Sequence, residues 1–251
     1  MNRREFLLGL LNFSMLSVFF DAEDENSRLI VSSAGDVTLG YHFPKMFDKI
    51  SDKYGESEAF KFPFENVFNY FRNSDINLVN LEGTLTNSNK ILPKKFNFKG
   101  SPKYVRCLNE GNIEIVNLGN NHTMDFCEDG LIETLDTLDE AGINHVGAGR
   151  NSNNASDVSF IDRKGLIVSF LGYADVGRDY CATSKRGGTN PLDEERMKEE
   201  IFYAKNNSDF VIVSCHWGVE RESFPTDRQK YFARRMIDSG ADVIFGHHPH
   251  V

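Results

Sequence analysis

From Leu29 onward, short apolar runs alternate with longer amphipathic stretches, and this alternation restricts the possible fold more than any other feature. Leu29–Ser33, Ile76–Leu81, Ile113–Leu118, Leu166–Tyr173, Phe210–Cys215 and Asp242–Phe245 have the length and apolar content of strands. Helical patterns lie between them, near Phe64–Arg72, Glu128–Ala141, Asp193–Lys205 and Thr226–Ser239. Pro225 and Gly240 punctuate the last of these as a helix start and stop. Strands alternating with helices predict an α/β fold with a largely parallel sheet. One antiparallel element is expected: Val158–Ile161 and Leu166–Gly172 flank Asp162-Arg163-Lys164-Gly165 in the pattern of a β-hairpin. Internal repeats and low-complexity tracts are absent.

A chain of 251 residues can bury a sizeable core in one domain. Its net charge of -9 argues against a nucleic-acid partner, which needs a basic face. Bulk charge would not attract a polyanion either, unless a metal supplies local positive charge. Cys107, Cys127, Cys181 and Cys215 form no C-x-x-C pair, so a zinc knuckle is not indicated; Cys215, at the end of an apolar strand, reads as a buried thiol. Gly83–Gly100 is a long polar loop carrying Lys90, Lys94, Lys95 and Lys99, read as a solvated patch in preference to a substrate guide.

Residues 1–27 are of another kind. Arg3-Arg4 stands directly before the apolar run Phe6–Phe20, the layout of an export signal, and the RR-x-F-L arrangement resembles a twin-arginine signal. No Ala-x-Ala site precedes Asp21, which leaves an uncleaved membrane anchor open; a buried N-terminal helix is the plain alternative. Residues 28–251 form the expected domain, and the expected location is exported and extracytoplasmic, with membrane association through the N-terminal segment.

Polar residues collect where the strands end. Asp36 follows the first strand and Glu82 the second; Asn120-Asn121-His122 and Asp125 follow the third. His216-Trp217-Gly218 closes a later strand, and Gly246-His247-His248-Pro249-His250 closes the last. In an α/β sheet, loops at the carboxyl edge gather around one crevice. Carboxylates, an amide carbonyl and imidazoles make a mixed ligand set suited to Mn²⁺, Zn²⁺ or Fe²⁺, with room for one or two ions. Each piece has a bland reading as well: Gly35-Asp36 as a turn, Asn120-Asn121 as a helix cap, His216 as hydrogen-bonded structure. His248 and His250, two apart, point the same way if the segment is extended. His42 and His145 read as surface histidines.

GDVTLG (35–40), NLEGTLTN (80–87), the NLGNNHTMDF segment (117–126), HWGVE (216–220) and GADVIFGHHPHV (240–251) together resemble the CapA family. These are capsule-synthesis proteins linked to poly-γ-glutamate, with a calcineurin-like metallophosphatase fold. The resemblance implies a four-layer α/β/β/α sandwich with a metal site at one edge. It implies Asp36, Glu82, Asn121 (with Asn120 able to share its role), His216, His248 and His250 as metal ligands. His122 becomes general acid or transition-state donor, oriented by Asp125, and His247 a bystander. Thr38 stands where metallophosphatases usually carry a histidine. The family pattern also implies further strands after Val251, so the sequence reads as C-terminally truncated. The implied activity is a metal-dependent hydrolase that cleaves or transfers a phosphoryl or amide bond in cell-surface polymer assembly. Its partners would be an anionic polymer or precursor and a membrane capsule-synthesis complex. The alternative is a non-enzymatic polymer-handling subunit of such a complex.

Overall fold

The computed structural model describes residues 15–21 and 28–251. Five strands form a first sheet: β1 (Met15–Asp21), β2 (Arg28–Val37), β3 (Ile76–Leu81), β4 (Ile115–Asn117) and β5 (Asn144–Val146), neighbours in that order. The pairing of β1 with β2 is antiparallel and the other three are parallel. A second sheet holds β6 (Ser159–Arg163), β7 (Leu166–Ala174), β8 (Phe210–His216) and β9 (Val243–His247), again in order. Here β6 and β7 form the predicted hairpin, while β7, β8 and β9 run parallel. Lys164 and Gly165, both at positive φ, make its two-residue turn, tighter than the four residues expected.

Strand alternation sorts the core into layers. Leu78, Ile115, Phe170 and Ile212 meet between the two sheets. Their neighbours Val79 and Val116 face the opposite way, onto Phe47 of α1 (Phe43–Tyr54) and Leu131 and Leu135 of α2 (Cys127–Glu140). Leu171, Val211 and Val213 face Met197 and Ile201 of α3 (Glu194–Asn207) and Phe232 and Met236 of α4 (Asp227–Ser239). The result is the expected helix–sheet–sheet–helix sandwich, and each of these buried side chains contributes about 1.5–3 kcal/mol. Thr226 and Gln229 close a capping box at the start of α4, and Gly240, at φ 119°, ends it.

Several local expectations change. The helix predicted over Phe64–Arg72 is a 3₁₀ turn, Phe62–Phe64, and a single helical turn, Phe68–Phe71, because Phe64 and Phe71 both turn into the core and stack edge-on. The first strand runs past Ser33 to Val37. Cys107, Cys127, Cys181 and Cys215 are all free thiols. Most of the N-terminal segment (1–14 and 22–27) lies outside the described residues. Its described part, Met15–Asp21, is an edge strand and not the helix of the plain alternative. Among the described residues, no helix is long and apolar enough to cross a membrane.

The two sheets close toward one another at their carboxyl ends through glycines. A methyl at Gly172 of β7 would sit 2.7 Å from Gly147 Cα, and one at Gly147 would sit 2.5 Å from Asn117 Oδ1. Only hydrogen fits there, and this approach brings the loops of both sheets to one place.

Candidate metal centre

The first carboxylate is aimed by a bulge. Ser33 pairs with Leu78 and Asp36 with Asn80, so β2 spends three steps where β3 spends two. The extra residue turns Asp36 toward the second sheet, a common use of bulges near sites. Asp36 Oδ1 accepts from Asn80 Nδ2 at 2.7 Å, and Oδ2 accepts the His248 backbone N–H at 3.1 Å. His250 Nδ1 is 3.1 Å from the same Oδ2. Glu82, one residue beyond β3, is buried, with Oε1 3.7 Å from His122 Nε2 and 3.8 Å from His216 Nε2.

His216 ends β8 and is fully buried. Its Nδ1 accepts from Asn80 Nδ2 at 3.2 Å, and its Nε2–H donates to Asn121 Oδ1 at 2.7 Å. His248 packs against it, ring centroids 4.8 Å apart. Ligand atoms of Glu82, His216 and His248 lie within 4.8 Å of one another, as do those of Asp36, Glu82 and His250. Glu82 belongs to both groups.

This donor set fits a divalent cation on its own chemistry. It combines carboxylates with imidazoles, and His248 Nδ1 is buried without a hydrogen-bond partner. Burial, and then the carboxylates of Asp36, Glu220 and Asp125, push Glu82 up to about 8. Burial, and then the surrounding histidines, hold His216 well below its usual value, leaving a neutral imidazole. A cavity rich in acceptors, with its carboxyl starved of positive charge, is what a cation would relieve.

Residues 30–251 match the family described as "Bacterial capsule synthesis protein PGA_cap". The chain belongs to this family. It is 33% identical over 227 residues to the PGA biosynthesis protein CapA of Bacillus subtilis, covering 89% of this chain and 58% of the relative. It is 30% identical over 236 residues to the capsule biosynthesis protein CapA of Bacillus anthracis, covering 90% of this chain and 56% of that one. A probable polyglutamine synthesis accessory protein of Mycobacterium tuberculosis is 28% identical over 190 residues, covering 70% and 50%. The chain thus spans little more than half the length of the two CapA proteins. A 5'-nucleotidase precursor from Thermus thermophilus superposes with a TM-score of 0.40 at 13% identity, over 64% of this chain and 36% of that one.

Within this capsule-family site the structure brings Asp36, Glu82, Asn121, His122, Asp125, His216, His248 and His250 together. Asn120 is a correction. Its Oδ1 accepts the His122 N–H (3.0 Å) and the Thr123 hydroxyl (3.1 Å), while its Nδ2 donates to Leu81 O (2.9 Å) and Asn80 Oδ1 (3.3 Å). With both oxygen lone pairs and both N–H groups used, Asn120 shapes the loop and has no donor atom left for an ion. The extended geometry expected of His248 and His250 is corrected too: both have positive φ, 97° and 57°. They converge through a strained turn around Pro249, the kind of strain that collects at binding sites.

His247, the expected bystander, belongs to neither ligand group. It is buried with both ring nitrogens unpartnered, lining a cavity of ≈ 520 Å³ with Ser33, Trp217 and Gln229, and burial pushes it down to about 4. Thr38, at the position where the resemblance places a histidine in metallophosphatases, donates its hydroxyl to the Glu82 carbonyl and so braces the end of the second ligand strand.

Two residues the sequence did not single out for the site reach it from the 83–100 loop. Lys94 Nζ is 2.6 Å from Asp125 Oδ1, and the Phe98 ring stacks on the His122 imidazole at 4.0 Å and 18°. The rest of the basic patch behaves as predicted of a solvated loop: Lys90 pairs with Asp129, and Lys99 bonds Ser88 and Asn89.

Proposed function

We propose that this chain carries a divalent metal centre that hydrolyses or transfers a phosphoryl or amide bond during assembly of an anionic cell-surface polymer of the poly-γ-glutamate kind. The observation that carries this reading is that Glu82 belongs to two ligand groups at once while His122 Nε2 faces it at 3.7 Å. Asp36, Glu82, Asn121, His216, His248 and His250 would hold one or two divalent ions, whose chemistry when bound would be to polarise the substrate oxygen and acidify a water. Around them, Asp36 and Asn121 would bind, His216 and His248 would supply neutral nitrogen ligands, and His122, whose Nδ1–H donates to Asp125 Oδ2 at 2.7 Å, would point Nε2 at the leaving group and give it a proton from the imidazolium form. The relatives named for capsule and PGA biosynthesis support the polymer setting. An exported chain, held near the membrane by residues 1–27 and working within a capsule-synthesis complex, is part of the same proposal.

The test is turnover of a generic phosphodiester with Mn²⁺, Zn²⁺ or Fe²⁺ by the wild type, Asp36→Ala and His122→Ala. The proposal expects metal-dependent turnover lost in both variants. Turnover unchanged by His122→Ala would refute the catalytic part. Thr38 favours a second reading: its side chain is committed to the Glu82 backbone and leaves the first loop without an imidazole. A centre short of that ligand would bind polymer without cleaving it, and capsule would then survive the ligand substitutions but not removal of residues 1–27.

A further inference from the structure

We propose that Lys94 is a positioning residue, which together with Phe98 locks the His122–Asp125 pair into the one orientation that aims His122 Nε2 at Glu82. Asp125 is fully buried, so each of its carboxylate oxygens needs a partner. Oδ2 accepts from His122 Nδ1–H at 2.7 Å and from the Phe98 backbone N–H at 2.6 Å. Oδ1 is held by Lys94 Nζ at 2.6 Å. The same Nζ donates to the Asn121 carbonyl at 2.8 Å and lies 3.4 Å from His122 Nδ1. One ammonium therefore fixes the acid behind the imidazole and the backbone just before it.

Phe98 supplies the remaining constraint, since its ring covers one face of the imidazole. With Nδ1 bonded and a face covered, the ring has one free nitrogen, and that nitrogen faces the ligand cluster. The loop bearing both residues is itself pinned: Leu92 N–H donates to the Asp125 carbonyl at 2.9 Å, and Thr84 N–H to the Phe98 carbonyl at 3.0 Å. Only 19% of the Lys94 side chain is exposed, against 71% of Lys90 in the same loop. Removing the ammonium leaves Oδ1 without that partner in a buried place. The carboxylate is then free to swing, and His122 loses its fixed back support.

The effect on turnover rests on the hydrolytic reading; the effect on the imidazole does not. Lys94→Met is compared with Lys95→Met, which removes an equal charge from the next, exposed position. In long-range ¹H–¹⁵N spectra the wild type and Lys95→Met should show one His122 tautomer with a proton on Nδ1, while Lys94→Met should show averaged nitrogen shifts. With a phosphodiester, kcat should fall about 10- to 100-fold in Lys94→Met, with KM within about twofold and cation content unchanged. Phe98→Leu, which keeps the backbone N–H, should release the ring in the same way and decides the matter if Lys94→Met does not fold. A wild-type His122 spectrum in a folded Lys94→Met or Phe98→Leu variant would overturn the inference. So would a kcat loss matched by equal loss of cation. If the wild type turns over nothing, the hydrolytic reading fails and the ring spectra alone decide the clamp.

Discussion

His216 Nε2 lies 2.7 Å from Asn121 Oδ1, a hydrogen bond that joins the end of β8 in the second sheet to the loop after β4 in the first. Both atoms are ones a cation would draw on. Their hydrogen bond ties the two halves of the site together across the sandwich.

Asn121→Ala tests that bridge. It removes the acceptor of a buried N–H donor, so the cation-free protein should lose about 1–3 kcal/mol in urea denaturation. Cation affinity should fall as well, because one ligand is gone. Unchanged stability would mean that the bridge contributes nothing to holding the sheets in register.

The buried carboxyl makes cation binding pH-dependent. Glu82, pushed up to about 8 by burial and then by neighbouring carboxylates, is mostly protonated at pH 7, and a cation must expel that proton. Affinity should rise roughly tenfold per pH unit up to about 8 and level off above it. Calorimetry at pH 7 in buffers of different ionisation enthalpy should show about one proton released. Without a cation the sign runs the other way for folding. The folded state keeps a proton that the unfolded carboxyl loses above 4.5, so stability should drop as pH climbs from there through about 8. Heats independent of buffer would contradict this.

Gly172→Ala tests the closure of the sandwich. Its methyl would collide with the Gly147 backbone where the sheets come together. A loss on the order of 1–3 kcal/mol is expected from such overpacking, accompanied by weaker cation binding even though Gly172 is no ligand. Thermal melts and cation titration of this variant should move together; a stability loss with wild-type cation affinity would separate the closure from the site.

Much of this site is written in the order of residue types. Asp36, Glu82, Asn121, His216, His248 and His250 each stand at or just after the end of an apolar strand, and a parallel sheet leaves its strand ends on one edge, so their meeting is foreseeable. The bulge before Asp36 is not foreseeable, because nothing in Ser33-Ala34-Gly35 says which strand carries the additional residue. Asn120 and Asn121 are equivalent on paper, and only the fold shows that Asn120 spends its oxygen on the loop and its N–H groups on β3. Lys94 and Phe98 were hidden for another reason: the 83–100 loop has no period, and its inward turn ends on the buried carboxyl of Asp125, a residue of a distant segment. Helix α1, in contrast, shows helical spacing at Phe43, Phe47 and Ile50, a signal available in the sequence beside Pro44 at its start.

The most direct test of the metal centre is the number of divalent ions bound per chain. Protein equilibrated with Mn²⁺, Zn²⁺ or Fe²⁺ and passed over a desalting column would be assayed by elemental analysis, beside Glu82→Ala and His216→Ala. The account predicts one or two ions per wild-type chain and a loss in both variants, most complete in Glu82→Ala because that carboxylate belongs to both ligand groups. A wild-type chain that retains no ion, or a Glu82→Ala chain that retains as many as the wild type, would contradict it.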